Sequence, residues 1–512
     1  MSLAGRPAIL DRPAGETAGA ARRPPDGYVA GPLWARAVPP VVTLAVMLWK
    51  IQSPSYWRDE GATLAAVQRP FGELIRMLGN VDAVHGAYYM IIWVVVRFGG
   101  TGELVTRLPS ALAMAAAAAG VAAIGRRLVS PRAGLFAGLV FAVLPEISWY
   151  GQDARSYALV TALATAASYL LVRLLGAGGS RRGWLIAYGL ALTCLGLVNI
   201  LGLTLIPAHG LTVALAVRRT RARPGRRSPA AGWLAAAGAA VAVVSPLLLL
   251  AWQQRAPESW LKTPAAGTLA NLADLAGPPA LAGVVLLIIA CGILLSAAAG
   301  RAAITADWPA ALPALCLPWL LLPPAVLLAG SLIQPVYTLR YVLFVVPALA
   351  LLAGAALAAL GRVAGAIALA MVVLVGLPAQ LDARQHGAHG DNIRRADAIV
   401  AAARRPGDAV LYASTGARNM AAAYPDGLAA LRNIALDQAP IPSGTLAGTY
   451  LPAPAVRLRL AGVRRVWVVE VRKDAMPVRL PLLSGLHFRL ARKWRTSDIW
   501  LMLYRHQRRY RH

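Results

Sequence analysis

Charge is what this 512-residue sequence has least of. Asp, Glu, Lys and Arg make up 14% of it, against about 25% in a soluble globular protein, which excludes an ordinary soluble fold. Acids are the scarcer sign, 22 against 51 Lys plus Arg, so each carboxylate stands out. Lysine occurs only at 50, 262, 473 and 493. The three cysteines, Cys194, Cys291 and Cys316, all lie in apolar runs. That excludes a disulfide framework and a thiolate metal site and leaves core packing as their role. No glycine-rich nucleotide fingerprint is present, no internal repeat marks an inverted-repeat transporter, and no cleavable signal peptide is expected before the first apolar run.

What is present is apolar: 58% of residues are hydrophobic. Charge-free runs at 108–125, 183–217, 228–254, 275–300, 308–339, 341–361 and 363–381 each reach the ~18 residues that suggest a membrane span. The shorter runs 37–49, 133–145 and 156–172 become plausible spans because flanking Arg36, Lys50 and Arg173 can snorkel. A net charge of +29 would suggest nucleic acid in a soluble chain. Here the arginines alternate with apolar runs, the pattern of topology signals and anionic-lipid contacts, and no nucleic-acid partner is expected.

Placing the clusters Arg126/Arg127/Arg132, Arg173/Arg181/Arg182, Arg218 to Arg227, Arg301 and Arg362 on the cytoplasmic side predicts spans near 34–51, 107–124, 133–149, 155–173, 184–200, 202–217, 230–251, 279–298, 309–331, 338–359 and 363–380. That is about eleven crossings of a plasma membrane, N-terminus inside and C-terminus outside. His85–Phe98 cannot then be a crossing, and reads as a re-entrant or interfacial helix. Loops 52–106, 149–156 and 331–340 share the outer face. Residues 1–33 read as a disordered cytoplasmic tail and 34–381 as the membrane domain. Residues 382–512 read as a small exported α/β domain, with helix 391–405 and strands at 409–412, 465–471 and 499–504. This last domain carries 22 Arg/Lys and 9 Asp/Glu, a balance suited to anionic lipid or acidic polymer, although a merely solvated surface is the favoured reading.

The outer loops hold the residues capable of chemistry. Asp59 and Glu60 follow the first span, as catalytic acids or as a helix cap with Arg58 as local partner. Asp82 and His85 lie three apart, on one face if helical, to bind a metal or phosphate or to orient an acceptor; Asp82 is an equally good N-cap. Arg107 suits a carboxylate or a phosphate. Tyr150-Gly-Gln-Asp-Ala-Arg-Ser-Tyr157 sets Asp153 and Arg155 between two spans, either as functional groups or as a cap and its ion pair. Arg340, followed by Tyr341, suits a lipid phosphate.

In order, these pieces are an outer-loop Asp-Glu, Asp-x-x-His-x-x-Tyr-Tyr, Arg107-Leu-Pro-Ser-Ala, Tyr-Gly-Gln-Asp-Ala-Arg-Ser-Tyr and a late Arg-Tyr. The series resembles the bacterial GT-C superfamily glycosyltransferases related to protein O-mannosyltransferases, over about residues 35–360. The resemblance implies a polytopic α-helical membrane protein that takes a sugar, mannose or arabinose, from a polyprenyl-phosphate donor. The sugar passes with inversion to a cell-envelope glycan, lipid or protein acceptor. It implies Asp59 as base, Asp153 as a second acidic site residue and Arg107 as a charge partner near the site, with Glu60 grouped beside the two catalytic acids. Asp82, His85, Tyr89, Arg107, Arg155, Arg340 and Tyr341 would contact substrate. The residues specify no cofactor; a divalent metal with Asp59, Asp153 or His85 as ligands would serve in place of the arginines. Two rival classes are a transporter or flippase of lipid-linked saccharides, which would show mid-span charges and repeats, and a membrane scaffold, which would leave the clustered acids without a purpose.

Overall fold

Backbone N–H and C=O groups have no partner in lipid, and a helix satisfies them within its own segment. The computed structural model describes residues 33–176, 181–220, 228–254, 270–298, 312–471 and 480–507. Up to residue 382 the described chain is helical. The helices are α1 (Trp34–Leu48), α2 (Arg58–Val67), α3 (Phe71–Asn80), α4 (Gly86–Gly99), α5 (Glu103–Leu128), α6 (Pro131–Val143), α7 (Pro145–Gly151), α8 (Tyr157–Gly176), α9 (Arg182–Val198), α10 (Leu205–Thr220), α11 (Ala230–Gln253), α12 (Pro279–Ala298), α13 (Leu312–Gly330), α14 (Val346–Ala359) and α15 (Arg362–Asp382). Among the described residues, eight helical stretches are long and apolar enough to cross a membrane, or nine if α6 and α7 form one broken span. Eleven is reached by adding the shorter apolar α1 and α9, of 15 and 17 residues, against the ~20 of an ordinary span. The expected tail lies outside the described residues except for Leu33, as do Arg301 and the arginines of 221–227.

The expected span 133–149 is not straight. Pro145 forces Leu144 into an extended conformation, and α6 and α7 meet at 64°. The bend returns the chain, through Gly151, to the end of the bundle where α1 stops. A Cβ on Gly151 would lie 2.1 Å from Met47 Sδ, so glycine allows this close approach. The segment read as interfacial is a short apolar helix, Ala83–Gly99 including a 3-10 lead-in at Ala83–His85.

Past α16 (Ile393–Ala403) come β1 (Ala409–Tyr412), β2 (Arg432–Asn433), β3 (Arg465–Val471), β4 (Phe488–Thr496) and β5 (Ile499–His506). They form one sheet in the order β2-β1-β3-β5-β4. β1 is parallel to β2 and β3, and β5 is antiparallel to β3 and β4. On one face Val410, Trp467, Val469 and Leu501 pack with Ile393 and Val400 of α16, and with Tyr56 and Leu64 from the segment after α1. Leu411, Val466, Val468 and Met502 form the other face. The sheet is thus joined to the bundle through apolar contacts.

Small residues let the bundle helices approach closely. A Cβ on Gly354 of α14 would lie 2.3 Å from Ala137 N and 2.4 Å from Ala137 Cα of α6. Gly354→Leu is expected to push these helices apart, lowering the melting temperature of the detergent-solubilised protein by the equivalent of ~1–3 kcal/mol or more. Gly79→Ala, with nothing within 4 Å of the new carbon, is the matched control and should melt with wild type.

Candidate active site

Asp59 and Glu60 stand in the first turn of α2, where exposed N–H groups favour negative charge. Neighbouring side chains on a helix point about 100° apart, and these two have different surroundings. Glu60 is fully buried. Arg107 of α5 grips it with Nε to Oε1 at 2.8 Å and Nη2 to Oε2 at 2.7 Å. Arg107 also donates through Nη1 to the carbonyls of Ile51 and Pro54 and through Nη2 to that of Ser55, while the Ala154 N–H donates to Glu60 Oε1 at 2.9 Å. Arg107 is thus the charge partner near the site that the resemblance implies, while its donors are all engaged inside the protein, which leaves none for the substrate contact also expected of it. Glu60, expected as a catalytic acid, is likewise the sealed half of an ion pair.

Asp59 faces a more open region, with 23% of its side chain exposed, and its Oδ2 accepts from Arg340 Nη1 at 2.8 Å. The Arg340 guanidinium lies 5.8 Å from the Trp57 ring, 6.0 Å from Tyr157 and 5.6 Å from Tyr341, a setting of aromatic faces that attracts a cation. Arg340 opens the 3-10 turn Leu339–Val345 that leads into α14. Arg58, considered as a local partner for the acid pair, turns instead to Asp391, whose Oδ2 accepts its backbone N–H at 3.1 Å.

Asp153 is fully buried, and Trp57 Nε1 donates to its Oδ1 at 3.0 Å. Burial, reinforced by Glu60, pushes its carboxyl well above the usual carboxylate range. The expected Arg155–Asp153 ion pair is absent among the described contacts. Arg155 instead donates to His85 Nε2 at 3.0 Å and to the Asp59 carbonyl at 3.4 Å. Since arginine only donates, that histidine nitrogen accepts. Burial and the cations Arg155 and Arg340 push His85 well below the usual histidine range. Asp82 makes no side-chain cap; it has a left-handed backbone with φ 61° and accepts from the Tyr89 hydroxyl at 3.1 Å. Tyr89 is fully buried, so it supports Asp82 and has no face for substrate, contrary to expectation.

The expected metal ligands divide. Asp59 is held by Arg340 and His85 by Arg155, whereas Asp153 belongs to a different group with Glu60 and His389, whose ligand atoms lie within 4.8 Å of one another. His389 escaped the sequence reading. Its only signal is a histidine in the glycine-punctuated connector Arg384-Gln-His-Gly-Ala-His-Gly390 that follows the last span.

The family described as dolichyl-phosphate-mannose-protein mannosyltransferase matches residues 86–252, about a third of the chain, which include Tyr89, Arg107, Asp153 and Arg155. No curated protein matches the sequence. Among solved structures, ArnT from Cupriavidus metallidurans bound to undecaprenyl phosphate is similar with a TM-score of 0.58 at 15% identity, covering 91% of this chain and 97% of that one. Its apo state gives 0.59 at the same identity and coverage. The archaeal oligosaccharyltransferase AglB from Archaeoglobus fulgidus, in complex with an inhibitory peptide and a dolichol-phosphate, gives 0.50 at 9% identity over 92% and 74%. At these identities the likeness is one of fold.

Removing one partner of a fully buried pair strands the other charge. Arg107→Ala is expected to destabilise the protein by roughly 3–5 kcal/mol, read as a fall in melting temperature in detergent. Arg107→Met combined with Glu60→Leu should recover most of that loss. A single variant as stable as wild type would contradict the sealed-pair description.

Proposed function

We propose that this polytopic chain of the GT-C membrane glycosyltransferase fold transfers a sugar from a polyprenyl-phosphate donor to an acceptor hydroxyl. One observation carries this reading: a part-exposed carboxylate, Asp59, and a part-exposed guanidinium, Arg340, are paired at 2.8 Å at one end of a membrane bundle. They form the base and the phosphate-binding cation that the reaction needs, side by side.

Asp59 takes the proton from the acceptor hydroxyl as its oxygen attacks the anomeric carbon. The bond from that carbon to the phosphate oxygen breaks on the opposite face, so the configuration inverts and the lipid phosphate leaves with the electron pair. Arg340 meets the leaving phosphate, to which a guanidinium can present two parallel N–H groups without losing its charge. In the structure as it stands the same Arg340 holds Asp59. Donor phosphate competes for that arginine, and its arrival releases the carboxylate to act as base. Arg155 sits beside Asp59 and His85 and adds positive charge. Asp153, buried behind Trp57, shapes the floor of the site. The matched family's name includes a dolichyl-phosphate-mannose donor, and one similar structure holds undecaprenyl phosphate. Both support a polyprenyl-phosphate carrier; the sugar proposed on it is mannose or arabinose, and the acceptor proposed is an envelope glycan, lipid or protein.

The arginines of the sequence support the side on which this happens. Arg126 and Arg127 end α5, roughly 30 Å along the helix from Arg107, and Arg173 ends α8 at the far side from Tyr157. With those ends cytoplasmic, Asp59 and the sheet face outward from the plasma membrane.

Asp59→Asn keeps the shape and removes the base. It should lower sugar transfer from the polyprenyl-phosphate donor into membrane acceptors by about 10²–10⁴-fold, with expression and elution from gel filtration unchanged. Arg340→Lys keeps the charge but loses the fork, and should raise the donor KM as well as lower kcat. Transfer by Asp59→Asn at the wild-type rate would remove Asp59 from the mechanism.

A further inference from the structure

The connector between α15 and α16 places in the protein interior an imidazole that the transfer reaction does not use. His389 is 7% exposed, and neither Nδ1 nor Nε2 has a hydrogen-bond partner among the described residues. Its ring is stacked on Trp149, with centroids 4.3 Å apart and planes 16° from parallel, and lies 5.9 Å from the Trp57 ring. Asp153 Oδ2 is also buried without a partner, while its Oδ1 accepts from Trp57. Glu60 completes the group, each residue offering one ligand atom and all three atoms lying within 4.8 Å of one another. Buried polar atoms are nearly always paired, so these orphans converging on one region point to a ligand they share.

We propose that Glu60, Asp153 and His389 hold one divalent transition-metal ion, of the Mn²⁺ or Zn²⁺ class, that ties the connector after α15 to the start of α2 and to the loop before α8. Three atoms no further apart than this lie within about 2.8 Å of a common point, close to the ~2.0–2.2 Å of metal bonds to imidazole and carboxylate. Shifts of well under an ångström per side chain close the difference. Two carboxylates and an imidazole suit a first-row ion better than calcium or magnesium, which prefer all-oxygen shells. Charge agrees as well: a bound cation supplies the positive charge that lets the buried Asp153 carboxyl give up its proton, and Glu60 with Asp153 then offers two negative charges against the one of Arg107. The hold of Arg107 on Glu60 does not block ligation. Oε2 accepts one short hydrogen bond, from Arg107, and a long one of 3.4 Å from the Trp57 N–H, and a carboxylate oxygen has a lone pair to spare. Arg107, the Ala154 N–H and Trp57 Nε1 orient the two carboxylates, the outer support that a metal site needs. A shared proton is a poorer solution, since it bridges at most one pair and Asp153 and His389 are not in hydrogen-bond contact.

The test uses the full-length protein in detergent, treated with EDTA and then titrated with MnCl₂ or with ZnCl₂. Mn²⁺ uptake is read from loss of the free-ion electron paramagnetic resonance signal, and both metals by elemental analysis after gel filtration. One ion per chain is expected for wild type, bound at least about tenfold more weakly by His389→Phe, which keeps a ring for Trp149 to stack on. His389→Gln provides a second variant should Phe perturb folding. The absence of stoichiometric uptake of either ion by wild type overturns the proposal, as does equal uptake by wild type and the His389 variants. Because the readout is bound metal, a chain that takes up one ion but transfers no sugar refutes the transferase reading alone.

Discussion

The buried pairing of Glu60 with Arg107 is the constraint on which the site depends. A single guanidinium on α5 reaches the carboxylate on α2 and the carbonyls of Ile51, Pro54 and Ser55, fixing the turn that leaves α1 and the direction in which α2 begins. The same carboxylate accepts from the Ala154 N–H, which ties down the loop between α7 and α8. Such a pair adds little net stability over a well-packed apolar replacement. Its effect is one of placement: three segments distant in sequence meet at one point, and the residue before Glu60 is left facing Arg340.

Two adjacent carboxylates have therefore been separated by environment. Glu60 is sealed and structural, and Asp59 is part-exposed and paired with a cation that a phosphate can compete for. The sheet region closes the arrangement from the other side. Asp391 receives the backbone of Arg58, and Tyr424 donates to Glu103, which also pairs with Arg394. Tyr56 and Leu64 pack into the core of the sheet. Residues after 382 are thus part of what holds α2 in position.

Much of this was legible in the sequence because membrane physics simplifies the reading. Charge-free runs located the long helices to within a few residues, and alternating or continuous apolar patches found β1 and β3. Strand β4 was not anticipated: its basic residues Arg489, Arg492, Lys493 and Arg495 are exposed on a sheet edge, and charge there protects the edge instead of marking a buried strand. The break at Leu144 was signalled by Pro145 but obscured by the apolar run around it. Among site residues, the closeness of Asp59, Arg155 and Arg340 followed from three loops expected to share one face. The partners were harder to foresee, because Arg107 with Glu60 and Arg58 with Asp391 depend on tertiary distances that residue types alone do not encode. His389 lacked any motif and becomes visible only when the connector folds back over Trp149.

In the proposed reaction this site breaks the bond between a sugar and its lipid phosphate. The most direct measurement is to reconstitute the protein in liposomes with radiolabelled polyprenyl-phosphate mannose, or its arabinose counterpart, and follow the label with a hydroxyl acceptor present. For a transferase, label is expected to leave the lipid and appear covalently on the acceptor, with free polyprenyl phosphate released in equal amount. Label that crosses the bilayer still attached to its lipid, with no acceptor product from either donor, would contradict that reaction.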